Sequence, residues 1–229
     1  MFTVEVNSYV DTLNKLAKFN KRVRYVPNGF FNDLVTIKRS NIKKERIILT
    51  VARFGVWQKN TELLLEAFKD VDANKLDGWQ LWLVGPMTKK FLDYLDRYKQ
   101  KNIDIASKII TFGNISSKKE LYEIYAKAGI FVHPSKSEGF PLVIPEAMFY
   151  ACYPIITDCF DAAREIINDE RGKVIKNENK NELVDSLIWA IDNFEEAKLK
   201  GKYASVYAQE NLIWEKLSKR IVKYFNDIK

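Results

Sequence analysis

The sequence predicts an α/β protein: a Rossmann-like, doubly wound parallel sheet followed by C-terminal helices. Two observations carry this. From Arg46 onward, short apolar runs alternate with longer amphipathic segments, which is the rhythm of βα units. The runs themselves are mostly continuous rather than alternating, as expected of strands covered on both faces.

The predicted strands are Arg46–Ala52, Trp79–Gly85, Lys108–Phe112, Ile130–His133, Pro154–Thr157 and Lys173–Lys176. Helical patterns lie between them at Asn60–Val71, Thr88–Lys101, Ser117–Ala128, Pro141–Ala151 and Ala162–Ile167. After Lys176 the pattern is helical only, over Asn179–Phe194, Leu199–Glu210 and Leu212–Ile228, with breaks expected at Gly201 and around Asn211. The beginning differs: Phe2–Val6 reads as a strand, Tyr9–Phe19 as a helix, and Val23–Val26 as a strand stopped by the turn Pro27-Asn28-Gly29. The chain thus divides into a β-α unit over residues 1–30, a core over residues 31–178 and helices over residues 179–229. The polar stretch Asn32–Lys44 is the candidate linker.

A chain of 229 residues buries a core without disulfides or a metal, and no segment is long and apolar enough to span a bilayer. The first residues lack the basic start and apolar run of a signal peptide, so a cytoplasmic location is expected, with Cys152 and Cys159 as reduced core thiols. The 37 basic residues exceed the 30 acidic ones, which suits an anionic partner. They are scattered in mixed-sign stretches such as Lys43-Lys44-Glu45-Arg46, which read as solvated surface. With no aromatic-interleaved basic stripe, a nucleic-acid partner is not expected. His133 is the only histidine and the cysteine spacing fits no zinc pattern, so no metal is expected either. A P-loop, a G-x-G-x-x-G turn and a Ser-His-Asp arrangement are all missing, which weakens NTPase, dehydrogenase and hydrolase readings.

In an open parallel sheet, ligands bind at the carboxyl ends of the strands. After the first core strand comes Arg53-Phe54-Gly55-Val56-Trp57-Gln58-Lys59-Asn60, which sets Arg53 and Lys59 beside a helix start, where amides, helix dipole and both cations favour a diphosphate; from spacing only, two cations near a loop read more often as solvated. The turn at Gly85-Pro86 lets backbone approach a ligand closely. Gly113 and Asn114 offer backbone groups suited to a flat base, though both stretches read equally well as simple βα turns. The most specific stretch is His133-Pro134-Ser135-Lys136-Ser137-Glu138-Gly139-Phe140-Pro141-Leu142-Val143-Ile144-Pro145-Glu146, a strand running through a loop into a helix. Gly139 there allows an unusual backbone angle or close approach, and Pro141 suits a first helical turn. Amides near Leu142 and Val143 should face a phosphate. Glu138 and Glu146 flank that anion site as acceptors for sugar hydroxyls. His133 has an equally good reading as a structural hydrogen bond at a strand end.

These residues resemble the retaining glycosyltransferases of family 4, which have the GT-B architecture of two Rossmann-like domains facing a cleft. Pro27-Asn28-Gly29 resembles the P-N-G turn at the domain junction, and Val51-Ala52-Arg53 with Gln58-Lys59-Asn60 the v-g-R…K-N segment. Leu83-Val84-Gly85 matches l-v-G and Phe112-Gly113 matches f-l-G. Pro134-Ser135, Glu138-Gly139-Phe140-Pro141-Leu142 and Glu146-Ala147 match P-S…E-G-F-P-L…E-A, the most diagnostic of the set.

The resemblance implies a UDP- or GDP-sugar donor as substrate and no metal or other cofactor. Arg53 and Lys59 would hold the diphosphate and stabilise the charge developing on it, and Glu138 would contact the transferred sugar. Glu146 would contact the ribose, and Gly113-Asn114 the base. Backbone near Gly139, Phe140, Pro141, Leu142 and Val143 would complete the donor site. The chain departs from the family where G-G-x-x-E becomes Asp161-Ala162-Ala163-Arg164-Glu165, which keeps the glutamate and loses the glycines. The resemblance also implies an acceptor-binding N-terminal domain, of which residues 1–30 look like the last β-α unit. The chain is then expected to be a truncated piece or a split subunit. The alternative is a non-catalytic donor-binding or activating subunit of a split glycosyltransferase. Polysaccharide or lipopolysaccharide assembly would be the setting, with peripheral attachment to the inner membrane through lipid-linked acceptors.

Overall fold

The structure, a computed structural model, describes residues 1–31 and 43–226. Most of the expected linker, residues 32–42, and the last two residues of the expected final helix lie outside the described residues.

The core is a six-stranded parallel sheet: β3 (Glu45–Val51), β4 (Gln80–Val84), β5 (Ile109–Gly113), β6 (Ala128–His133), β7 (Tyr153–Thr157) and β8 (Lys173–Ile175). Ahead of it stands a two-stranded parallel pair, β1 (Phe2–Val4) and β2 (Val23–Tyr25), joined through α1 (Tyr9–Asn14). The order across the large sheet is β5-β4-β3-β6-β7-β8, so the chain winds outward in one direction from β3 and in the other from β6. The expected doubly wound α/β fold is the fold observed. Between β3 and β6 lies the point where the winding reverses, and there a crevice opens at the strands' carboxyl ends.

The continuous apolar runs find their explanation in two cores, one on each face. Along β6 every residue is buried, Ile130 and Val132 facing one core and Phe131 the other. The first face is covered by α2 (Thr61–Asp70), α3 (Lys89–Lys101) and α8 (Lys180–Asp192) through Leu64, Phe68, Leu95, Leu183 and Leu187. The second is covered by α5 (Lys118–Lys127), α6 (Val143–Phe149) and α9 (Phe194–Asn211) through Tyr125, Ala147, Met148 and Ala204. Two short helices, α4 (Ile103–Ala106) and α7 (Ala163–Ile166), sit in loops. The last helix, α10 (Trp214–Asn226), crosses to the N-terminal unit: Tyr224 Oη donates to Tyr25 O at 3.4 Å, and Phe31 stacks on Trp214 at 6.2 Å.

Several expectations need correction. Gly201 does not break a helix; α9 runs through it from Phe194 to Asn211. A Cβ at Gly201 would lie 2.4 Å from Ala151 O, so its smallness serves close approach of α9 to the turn before β7 rather than chain reversal. Tyr9–Phe19 is not one helix but α1 followed by a 3-10 turn at Ala17–Phe19. Lys44, read as solvated, turns its ammonium inward, donating to Tyr125 O at 2.9 Å and Ala128 O at 2.8 Å. Burial pushes its pKa below the ordinary lysine value, opposed only by the neighbouring Cys152.

The loop that lost its glycines has a structural use. Glu165 accepts from the backbone N–H groups of Asn7 at 2.8 Å and Ser8 at 3.0 Å, the residues that lead into α1, while Tyr9 Oη donates to Asp161 at 2.5 Å. A carboxylate on the backbone N–H groups just ahead of a helix anchors its start from another part of the fold and sits favourably at the positive end of the helix dipole. Glu165→Ala is expected to weaken the seating of α1 by about 1–2 kcal/mol. Amide hydrogen exchange should accelerate in α1, β1 and β2 while β6 stays protected; unchanged exchange in α1 would refute that anchoring.

Candidate functional site

Beyond the end of β3, pairing with the β4 side continues: Ala52 N–H donates to Val84 O at 3.0 Å and Phe54 N–H to Pro86 O at 2.8 Å. Phe54 is fully buried and stacks on Phe91 at 5.3 Å, so the alternation of an extended chain turns Arg53 outward over the crevice. Gly55, at φ +82, is where the loop passes Thr88; a Cβ there would lie 2.0 Å from Thr88 Oγ1. A 3-10 turn, Trp57–Lys59, then brings Lys59 back over the same opening.

On the other side of the reversal point, β6 delivers His133, and the following loop is tied down at three places. Lys136 N–H donates to Gln58 O at 2.7 Å, Glu138 N–H donates to Cys159 O at 3.1 Å, and Thr157 Oγ1 donates to Ser135 O at 2.5 Å. The first of these bonds joins the β3 loop directly to the β6 loop. Together they set Glu138 opposite Lys59, whose Nζ lies 2.5 Å from Glu138 Oε1.

The same oxygen accepts from His133 Nε2 at 3.1 Å. His133 is 1 % exposed, and its Nδ1 has no hydrogen-bond partner among the described residues, so the proton belongs on Nε2. Burial lowers the imidazole's pKa against the pull of Glu138, and the ring stays neutral at physiological pH. The Glu138 carboxyl feels burial as its largest single influence, which raises its pKa. The hydrogen bonds from His133 and Lys59 outweigh that and bring it down to about 2.

A carboxylate held below its ordinary value of 4.5 stabilises the fold above that pH, and loses the contribution as pH falls toward 2. Glu138→Gln removes the dependence. The stability difference between wild type and E138Q is expected to shrink by about 1–2 kcal/mol between about pH 5 and pH 3, after allowance for solvent screening of a half-buried group. Urea unfolding at the two pH values measures it, and a constant difference would mean the carboxylate is not held by its neighbours.

A cavity of about 310 Å³ lies among these groups, lined by Arg53 and Lys59 on one wall, Glu138 on another, and Gly85, Asn114 and Leu142 around the mouth; Pro141 and Val143 also line it. Gly85 sits at φ +135 with room for no Cβ, since one would fall 1.9 Å from Ala52 O. Gly113, at φ +67, ends β5 and accepts from Gly85 N–H at 2.8 Å, supporting the wall without lining it. Gly55, Gly139 and Phe140 likewise do not line the cavity. Gly139 needs no unusual angle and has open space around it, contrary to the expectation, and Phe140 packs edge-on against Phe160 at 5.7 Å. Pro141 precedes the helix; α6 starts at Val143 with Leu142 as its cap.

Glu146 opens onto an adjoining cavity of about 280 Å³, which shares Leu142 with the first and brings in Asn28, Phe31, Lys118 and Trp214. The residue is 5 % exposed, and its carboxylate accepts from Lys118 Nζ at 3.1 Å and Tyr125 Oη at 3.2 Å. The two glutamates are thus built alike, each held by a buried neutral donor from behind and a lysine from the mouth. Sequence reasoning missed Lys118 and Tyr125; the structural hydrogen bond expected of His133 at its strand end is present, with Glu138 as the partner. Nothing separates Lys118 from its neighbour Lys119 in the sequence, and only the turn at Pro27-Asn28-Gly29 signalled that the N-terminal unit meets the site. No group of three or more metal-ligating side chains occurs among the described residues.

The crevice at the reversal point of this doubly wound sheet, with Arg53, Lys59 and Glu138 in its lining, stands where open α/β sheets receive their ligands. The chain belongs to the family described as glycosyl transferases group 1, whose profile matches residues 35–206. It is 32% identical over 128 residues to an amylovoran biosynthesis glycosyltransferase, AmsD, of Erwinia amylovora, covering 56% of this chain and 34% of that protein. It is 26% identical over 160 residues to a Campylobacter jejuni α-1,4-N-acetyl-D-galactosaminyltransferase whose name specifies an undecaprenol-linked saccharide, covering 69% of this chain and 42% of that protein. The chain therefore spans between a third and a half of the length of these relatives. Among solved structures, Anabaena Alr3699/HepE in complex with UDP shares the fold, with a TM-score of 0.78 at 15% identity, over 98% of this chain and 63% of that one.

Proposed function

We propose that this chain is the nucleotide-sugar-binding part of a retaining, family-4 glycosyltransferase that transfers a sugar from a UDP- or GDP-sugar to a glycan or lipid-linked acceptor. The observation that carries the reading is the cavity in which Arg53 and Lys59 face Glu138 across the crevice at the sheet's reversal point. Arg53 and Lys59 hold the diphosphate and stabilise the charge that grows on it as the glycosidic bond breaks. Two side-chain cations give that stabilisation without a metal. Glu138 receives hydroxyls of the sugar, Asn114 adjoins the base with Gly113 supporting the wall behind it, and Glu146 receives the ribose from its neighbouring cavity.

The acceptor side belongs to a further domain or partner chain, and a lipid-linked acceptor would bring the enzyme to the inner membrane surface. The names of the Erwinia and Campylobacter relatives support a glycan or polyprenol-linked acceptor, and the UDP bound by the Anabaena protein supports a nucleoside diphosphate donor. Isothermal titration of the 229-residue chain with UDP and with GDP tests the reading: one of the two is expected to bind, and absence of heat with both would overturn it.

A further inference from the structure

One of the two cations lining the cavity is already paired. Lys59 Nζ is bound to Glu138 Oε1 at 2.5 Å, with the two side chains only 17% and 14% exposed. Arg53 is exposed and makes no ion pair among the described residues. The loops that carry the lysine and the glutamate are stitched together by Lys136 N–H donating to Gln58 O at 2.7 Å, so the two backbones keep their spacing. The glutamate is also held from behind by neutral His133 at 3.1 Å. A phosphate that recruits Lys59 must take it from Glu138, and it then sits in the same cavity as an uncompensated carboxylate. Breaking a pair this enclosed leaves a charge without its counterion, which is costly unless new donors replace the ammonium. Sugar hydroxyls supply such donors; the terminal phosphate of a free nucleoside diphosphate does not.

We propose that the Lys59–Glu138 pair is a specificity device: Lys59 exchanges from Glu138 to the diphosphate when a donor enters, and the site thereby favours the nucleotide that still carries its sugar over the nucleoside diphosphate left after transfer. This rests on the donor-site reading above. Glu138 discriminates through what it demands when Lys59 leaves, and His133 acts as a positioning residue that keeps the carboxylate in place through the exchange. Once the sugar has gone, the pair re-forms and displaces the spent nucleotide.

The device makes a prediction opposite to that for an ordinary contact residue. Removing the Glu138 charge should strengthen binding of the bare nucleotide, because Lys59 is then free from the outset. Titrating the chain with UDP and GDP, Glu138→Gln is expected to bind the nucleotide roughly tenfold more tightly than wild type, with Glu138→Ala shifted in the same direction. In a Lys59→Met background, the gain from Glu138→Gln should fall to a small fraction of that. Melting curves establish that each variant is folded. Equal or weaker binding by both glutamate variants, with the wild type binding normally, would overturn the exchange and leave the donor site standing. A gain of the same size in the Lys59→Met background would also overturn it, by assigning the effect to net charge alone. Absence of binding by the wild type to either nucleotide would remove the donor site and the exchange together.

Discussion

Gly85→Ala is expected to cost about 3 kcal/mol or more of folding stability and to eliminate nucleotide binding. Two independent obstacles meet at this residue. Its φ of +135 is a conformation that residues with a Cβ adopt only under strain, and the added carbon would stand 1.9 Å from Ala52 O and 3.0 Å from Ala52 C. Those are backbone atoms, so no flexible side chain can give way. Relief requires β4's end to move from β3's, which breaks the bond from Ala52 N–H to Val84 O and shifts Arg53 with it. Thermal or urea unfolding measures the first effect and UDP or GDP titration the second. A variant as stable as wild type with intact binding would show that the wall of the crevice is pliant. Gly139→Ala makes the control, since a Cβ there meets no atom within 4 Å.

Arg53→Ala is expected to weaken nucleoside diphosphate binding by about 1.5–3 kcal/mol, the range for hydrogen bonds to charged groups, with little change in stability. Its guanidinium is exposed and ion-paired to nothing among the described residues, so removing it leaves no buried partner stranded. Lys59→Ala is expected to cost less affinity than Arg53→Ala, because part of the lysine's contribution is already committed to Glu138. Titration of both variants measures the order. Unchanged affinity in both would place the diphosphate elsewhere.

The fold was legible because its strands are buried on both faces: Arg46–Ala52 and Pro154–Thr157 read as strands from apolar continuity alone, the first displaced from the observed strand by one residue at each end and the second short of it by one residue at its start. The site was legible for a related reason. In a parallel sheet the chemistry follows the strands' ends, and Arg53, Lys59, Gly85, Asn114 and Glu138 line one cavity as that rule requires. What stayed hidden depends on partners distant in sequence. Lys44 looks like any surface lysine until the carbonyls of Tyr125 and Ala128 are seen to receive it. Gly201 looks like a helix breaker because its reason, the approach of Ala151 O, lies fifty residues away. Glu165 looks like a family remnant until the backbone of Asn7 and Ser8 is found upon it. Local pattern reports which face of an element is apolar; it does not report which polar atom waits on the other side.

The reversal of strand order between β3 and β6 has a kinetic side. Within the halves β3-β4-β5 and β6-β7-β8, each strand pairs with its successor in the chain, while the seam joins Ile48 to Ile130. That pairing closes the longest loop in the sheet and carries its largest entropy of closure. On the function proposed above, a nucleotide bridging the loops that follow β3 and β6 would bind only molecules in which the seam has shut. Such a ligand stabilises the complete sheet rather than either half, and it acts mainly by slowing the opening of the seam. The crevice would in this sense be a clasp, and the molecule fastened by its proposed donor would be the one least able to come apart into halves.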